Sequence, residues 1–571
     1  MSFATSTSRV TKGRALARSL GAVGLLSASA IAVHAPGIWF DVGVRNLDFN
    51  AHYAWSVQFA EGLSSGDPYP HWMWRGNLGL GEPALLFYSP LFYYLCGAVR
   101  LFTANTWEAM RIVFVLSTCL TGFYSWRLLG LFAENVQALV GAVLLQWAPM
   151  IFMLFYYFNG FPWAVGFTAL VALCYYAVRP GAFEGWVDVP VSVSIAALVL
   201  THLVSALMVL ICFSFICLGF LARARRSWRV DRRVISWFVS AGGGLALAMF
   251  YLYPALREIH QISSEVWTRD YTPWNAFAFP TVTFLAFGMR WPTFQWTIPL
   301  IMLLGVVAAT WHASRRAASP NKLDEALMQM LIVSWASLFL ASEFSYPLWL
   351  IDTPLRLVQF PHRFIYVTSA TGLVANLLAL WNLQRSGETA LRRLLTTLPL
   401  VLGFALTGLL SCKLVFMDGK PLHLSVDETK PYRGLSEYRL ATQGEHWEDY
   451  YRVGGLMAEC AEKSLVCRAL EANSWMLTWE ISGAQPARLR LPIFFFPAWR
   501  VTIDGKPVVA TTDPATGLIT VDLPAGAHRV TARWTRLATE RIGFMISCLA
   551  ALMLVAVASV GRLRASARPV H

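Results

Sequence analysis

Between Asp41 and Pro90 the sequence sets acidic, imidazole and aromatic side chains at spacings that could do chemistry. The run Asp41-Val-Gly-Val-Arg-Asn-Leu-Asp48-Phe-Asn-Ala-His52-Tyr53 precedes Gly66-Asp-Pro-Tyr-Pro70-His-Trp-Met-Trp74, Gly79-Leu-Gly-Glu-Pro83 and Phe87-Tyr-Ser-Pro90. Asp48 and His52 are four residues apart and share one face if this stretch is helical. A carboxylate there, partly desolvated by Trp and Tyr, suits a general base and is compatible with a divalent metal. Asp41 is a nearby competitor for that role. The plainer reading is that these residues anchor the chain at a membrane surface.

A second group is Arg356, Gln359, His362 and Arg363. Arginine gives phosphate planar, bidentate contacts that lysine cannot. The competing reading is an arginine snorkelling to anionic lipid. Arg257, with Glu258 and His260, forms a secondary set. Thr201-His202 interrupts the apolar run 189–221, where a lone histidine serves equally well as a helix–helix hydrogen-bonding partner.

These side chains need elements to position them, and the composition says which kind. In 571 residues, 56% are hydrophobic and 14% charged. Apolar runs long enough to cross ~30 Å of hydrocarbon recur from Leu20 to Val560, which excludes a soluble, disordered or disulfide-stapled chain. Candidate spans lie at 20–35, 112–132, 136–158, 161–178, 234–256, 296–311, 326–341, 364–383, 394–412 and 542–560. Either 84–102 crosses and 189–221 is one long helix, or 84–102 lies at the interface and 189–221 is two short helices. Both choices give about twelve transmembrane helices. The first span follows Arg9, Lys12, Arg14 and Arg18, and reads as an uncleaved anchor in preference to a signal peptide.

The net charge of +13 fits topology rather than nucleic-acid binding, because the basic clusters fall between apolar runs. They lie in the N-terminal tail and at Arg223–Arg233, Arg315–Lys322, Arg385–Arg393 and Arg562–Arg568, which the positive-inside rule makes cytoplasmic. The stretches 37–83, 257–294, 343–362 and 414–540 are then outside, with the candidate chemistry. Within 414–540 the period shortens to two at Arg488–Pro492, Trp499–Asp504 and His528–Trp534, with turn signals at Asp504-Gly505, Gly517 and Gly526. This predicts a small β-sandwich. Seven cysteines sit mostly in apolar runs, whereas Cys460 and Cys467 share the exported region and are placed to form a disulfide. The expected domains are 1–413 with its outer loop 37–83, 414–540, and a final helix and tail at 541–571.

The order Asp…His, Tyr-Pro…Trp, Gly-x-Gly-x-Pro…Phe-Tyr-x-Pro-Leu-x-Tyr-Tyr, with Leu200-Thr-His202 and Gln359-Phe-Pro-His-Arg363, resembles bacterial membrane proteins labelled 6-pyruvoyl-tetrahydropterin synthase-related. The tail Phe496-Pro-Ala-Trp-Arg500…Asp504-Gly-Lys…Leu523-Pro-Ala-Gly-Ala-His-Arg529 is similar to YfhO-type membrane proteins. Both groups resemble the GT-C fold of lipid-linked sugar transferases. The resemblance implies a catalytic acid at Asp48, an interfacial 84–102, and a chain break that brings His202 to the outer face. Where such enzymes place a second acidic motif, this chain has Tyr157-Phe-Asn159-Gly-Phe-Pro162. The expectation is a GT-C-like glycosyltransferase of a bacterial inner membrane, its active face and C-terminal domain periplasmic. It would move a sugar from a polyprenyl-phosphate carrier to a glycan, lipid or protein acceptor. Asp48, His52 and His202 would be catalytic, and Arg356, Gln359, His362 and Arg363 would bind the donor phosphate. The rivals are a transporter or flippase for a lipid-linked saccharide and a non-catalytic assembly factor.

Overall fold

The computed structural model describes residues 3–44, 47–218, 220, 231–264, 277–279, 293–314, 321–385, 389–421 and 430–566. The basic stretches 223–230 and 315–320, and most of the loop 257–294, lie outside the described residues. Among the described residues seven helices are long and apolar enough to cross a membrane: Thr106–Leu129, Asn135–Tyr156, Phe161–Val178, Lys322–Leu340, Pro361–Arg385, Ala390–Asp418 and Ala538–Val560. Arg232–Leu247 and Met249–Arg257, bent by 77° at a short break, have together the length and apolar character of a broken span or a re-entrant loop. Shorter apolar helices cover Ala17–Val33, Val189–Thr201, Leu203–Leu218 and Thr297–Ala313. The protein is therefore a polytopic helical membrane protein, and a β-sheet domain follows near its C-terminus.

Local sequence sets the helix ends. Asn105 accepts the Glu108 amide at 2.9 Å and starts Thr106–Leu129. Asn321 and Asp324 form a reciprocal capping box at Lys322–Leu340. Each satisfies amide groups that a helix start leaves without intrahelical partners. The spans differ in how they meet their surroundings. Nearly every residue in the apolar stretch of Pro361–Arg385 is buried, in the middle of the bundle, whereas few in that of Ala538–Val560 are, and it presents its apolar surface outward.

Two regions left open by hydropathy resolve together. Residues 84–102 form only Ala84–Phe87 and Leu91–Arg100. Ten helical residues reach about 15 Å, half of a hydrocarbon core. The run 189–221 breaks at His202, which is extended (φ −158°, ψ 105°), and the chain resumes as a second helix at Leu203.

Among the described residues there are ten strands. β1 (Val42–Gly43) pairs with β2 (Lys420–Pro421), joining the end of the first helical segment to the end of Ala390–Asp418. The others are β3 (Val466–Ala472), β4 (Met476–Gly483), β5 (Ala487–Phe494), β6 (Trp499–Ile503), β7 (Lys506–Val508), β8 (Thr511–Thr512), β9 (Leu518–Leu523) and β10 (Gly526–Trp534). They form antiparallel sheets of order β3-β4-β10-β6-β7 and β5-β9-β8. Alternation supplies the core: Val530, Ala532 and Trp534 of β10 and Leu489, Leu491 and Ile493 of β5 are buried in one cluster. The β6–β7 hairpin turns on Asp504 (φ 50°) and Gly505 (φ 78°), the paired positive φ of a tight two-residue connection. A disulfide joins Cys460 to Cys467, with Cα atoms 6.2 Å apart. The strands of the two larger sheets begin only at Val466. Residues 430–465 instead form short helices and a strap that runs back over the loop 65–82.

Candidate active site

The site is built on the helix Leu47–Ser64, which carries Asp48 in its first turn. Asp48 is exposed at its surface, although the protein packed around it still takes hydration from its carboxyl. Its carboxyl is raised above the usual range by that burial and by the negative Glu437, against an opposing effect of Arg363. One turn on, His52 is buried, and its Nδ1 lies 2.7 Å from the Tyr93 hydroxyl. Burial holds this imidazole down at about 3, so it is neutral at pH 7. Asp48 and His52 therefore do not share one environment: the acid is at the mouth and the histidine is in the wall behind it. Tyr88 connects them, with its ring 5.4 Å from His52 and its hydroxyl within the electrostatic reach of Asp48 and Arg363.

His202 enters from the chain break. Its side chain caps the helix at Leu203, with Nδ1 accepting the Ser205 amide at 3.2 Å and lying 2.7 Å from the Ser205 hydroxyl. A backbone amide can only donate, so the neutral ring carries its proton on Nε2. The ring stacks on Trp163 (5.5 Å, 13°). Arg363, from the opposite side of the sequence, has its guanidinium 5.9 Å from the same Trp163 ring and 4.7 Å from Phe360. One of its nitrogens donates to Val358 O and Gln359 Oε1, both at 3.0 Å, which fixes the plane of the fork. Gln359 itself has φ 65°, a left-handed conformation outside the usual range for its type. His362 stacks against Phe360 at 5.8 Å. His202 and Arg363 thus meet on Trp163, the Tyr88 ring lies 6.3 Å from His202, and the charges of Arg363 and Asp48 act on one another.

Three other candidates are engaged with partners of their own. Asp41 accepts from Trp107 Nε1 at 2.8 Å and faces Arg111 at 3.8 Å, so it ties the first connection to the helix Thr106–Leu129. Arg356 donates to Leu350 O at 2.6 Å and Trp349 O at 3.4 Å, with Asp352 3.8 Å away, closing its own loop. Arg257 is exposed at the end of Met249–Arg257, and its carbonyl lies 3.1 Å from His260 Nδ1. Among the described residues no group of three or more His, Cys, Asp or Glu side chains could hold a metal ion.

Glu82 is a site residue that spacing did not single out. It is fully buried, and one carboxylate oxygen accepts from Trp55 Nε1 at 2.8 Å and Tyr432 Oη at 2.6 Å. Trp55 in turn packs on Tyr88 and Tyr438, at 5.5 and 5.6 Å. The turn that delivers Glu82 passes Asn77, Leu78, Gly79 and Gly81, all at positive φ, and a β-carbon on Gly81 would overlap the Trp72 indole. The Gly-x-Gly-Glu spacing was the available signal; its partner Tyr432, 350 residues away, was not.

Burial raises the Glu82 carboxyl from 4.5 to about 7, against the hydrogen bonds from Tyr432 and Trp55. Its folded value lies above its unfolded one, so the folded state holds the extra proton between those values. The clasp is fully stabilised below pH 4.5 and weakens as pH rises through about 7, by at most about 3 kcal/mol. Thermal unfolding of the purified protein should show a midpoint that falls from pH 5 to pH 8, and Glu82→Gln should flatten that dependence.

Beside the site, an apolar cavity of about 530 Å³ opens between helices, lined by Leu91, Leu95, Leu116, Leu120, Val193 and Thr201. Leu95, Leu116, Leu120 and Val193 are exposed along it, and Thr201 adjoins His202. A hydrocarbon chain suits such a lining.

No family model matches the chain, and no curated protein matches it in sequence. Among solved structures it is similar to the arabinosyltransferase EmbB from Mycobacterium smegmatis, with a TM-score of 0.39 and 11% identity over 91% of this chain and 63% of that one. The chain therefore spans less than two thirds of the length of that enzyme.

Proposed function

We propose that the protein is a membrane glycosyltransferase that moves a sugar from a polyprenyl-phosphate donor to an envelope acceptor on the periplasmic face of a bacterial inner membrane. The observation that carries this reading is the meeting of His202 and Arg363 on Trp163, with Asp48 in the field of the same guanidinium and an apolar groove beside the chain break at Thr201. In the reaction Asp48 takes the proton of an acceptor hydroxyl as its oxygen bonds to the anomeric carbon. The bond from that carbon to the phosphate oxygen breaks, and its electron pair leaves with the lipid phosphate. Arg363 meets the growing negative charge with its fixed fork, and the Nε2 proton of His202 is available as a second donor. The isoprenoid chain lies in the groove. Tyr88 packs on both His52 and His202 in the wall of the site.

Deleting the gene should cause a lipid-linked sugar to accumulate and an envelope glycan or glycoconjugate to lose that sugar, both read by mass spectrometry of extracts. An unchanged lipid-linked pool with unchanged glycans would remove the transferase reading. The orientation has its own test in the arginine placement. Alkaline phosphatase should be active when fused after Lys420 and inactive when fused after Arg226, and the reverse pattern would invert every outward-facing assignment.

A further inference from the structure

The break at His202 lies in an apolar run, so its backbone groups need partners that bulk water does not supply. Several are met locally. His202 N and Thr201 Oγ1 donate to Leu198 O at 2.9 and 3.1 Å, and Thr201 Oγ1 also reaches Ala197 O at 2.8 Å. Beyond the break, Ala206 N donates to His202 O at 3.1 Å and Ser205 N to His202 Nδ1 at 3.2 Å. An uninterrupted helix would also bond Leu203 N to Val199 O, four residues back. That one bond is intercepted by a side chain from 110 residues earlier: the Ser89 hydroxyl donates to Val199 O at 2.8 Å and accepts from Leu203 N at 3.1 Å.

Ser89 is buried and held where it is. Tyr88 before it is extended (φ −102°, ψ 144°), and Pro90 after it keeps the residue it follows out of the helical region. From Met249–Arg257, the Tyr251 hydroxyl donates to Phe87 O at 3.0 Å and lies 3.4 Å from Ser89 Oγ. The motif Phe87-Tyr-Ser-Pro90 thus sets the Tyr88 ring 6.3 Å from His202 and wedges open the helix that His202 interrupts.

We propose that Ser89 is a positioning residue: its hydroxyl, inserted between Val199 O and Leu203 N, braces the chain break and so fixes the His202 ring against Trp163. Its part in transfer rests on the glycosyltransferase reading, through the Nε2 proton of His202; the brace itself does not. A side chain inserted into the ladder of a helix is a recognised cause of a sharp bend. Without the hydroxyl, a buried carbonyl and a buried amide lose their partner, and the nearest remedy is the bond from Leu203 N to Val199 O. Forming it would carry the helix through His202, which now is extended and caps the second helix, and would take the ring away from Ser205 and Trp163.

The test uses the full-length protein in lipid nanodiscs with isotope-labelled histidine. Magnetic resonance identifies the His202 imidazole by its loss in His202→Asn, a change that keeps a helix-capping side chain. In Ser89→Ala that resonance should leave its Trp163-stacked position and move toward that of the exposed His260. In a complemented deletion strain the same variant should lower sugar transfer by about 10–100-fold, the range for a displaced catalytic group. Ser89→Ala added to His202→Asn should cost nothing further, because the serine acts through the histidine. Ser89→Cys, which keeps a weaker donor and acceptor, should fall between Ser89→Ala and wild type in both readings. An unmoved His202 resonance in Ser89→Ala, in protein with unchanged thermal unfolding, would overturn the brace. Losses that multiply in the double variant would overturn the positioning role and leave a serine that serves stability alone. If Ser89→Ala does not accumulate, Ser89→Cys decides between the same outcomes. A displaced resonance together with an Asp48→Asn variant that still transfers sugar would leave the brace standing and remove the transferase reading instead.

Discussion

Asp48→Asn lowers sugar transfer by about 10²–10⁴-fold while the protein remains in the membrane at normal abundance, the loss expected when a general base is removed. Asparagine keeps the shape of the side chain and much of its hydrogen bonding. It cannot take a proton at neutral pH, and it removes the negative charge that Arg363 faces. Asp41→Asn should be mild in transfer and visible in stability, because Asp41 is engaged with Trp107 and Arg111. The measurement is restoration of the missing glycan in a deletion strain complemented with each variant at matched protein levels. Turnover of Asp48→Asn close to wild type would sink the mechanism and bring the transporter or assembly-factor reading forward.

Arg363→Ala weakens binding of a short-chain polyprenyl phosphate by about 10–100-fold, the loss of one charge-assisted contact of roughly 1.5–3 kcal/mol. Arg363→Lys restores part of it, since the charge returns without the planar fork held by Val358 and Gln359. Arg356→Ala should change binding little, because that guanidinium is committed to Trp349 O and Leu350 O. Quenching of tryptophan fluorescence in nanodiscs reads the titration, as Trp163 stacks beside the guanidinium. Equal losses for the Arg363 and Arg356 variants would show that general surface charge, not the site, governs binding.

The contrast between those two arginines shows what a linear reading can reach. Both lie in one short stretch before an apolar helix, and composition gives them equal standing. Packing separates them: Arg356 folds back on its own loop, while Arg363 reaches Trp163, which belongs to a helix 200 residues earlier. Asp48 and His52 show the same limit. Their four-residue spacing is legible as a helix, but the depth of each side chain depends on what covers the helix, and Tyr93 covers only the second.

Local composition controls the features that can be read along the chain. Apolar length fixed most of the membrane helices, alternation and the Asp504-Gly505 turn fixed strands, and residue chemistry marked Asp48, His202 and Arg363 as worth following. Packing between distant segments settled the short course of 84–102, the break at His202, the engagement of Asp41 with Trp107 and of Arg356 with its own loop, and the meeting of Tyr432 with Glu82 and of Tyr438 with Trp55. These are properties of contacts between segments up to 350 residues apart, such as Tyr432 on Glu82. Hydropathy and periodicity report the environment a residue prefers, whereas a site depends on which distant residues share that environment, and only the folded chain closes those distances.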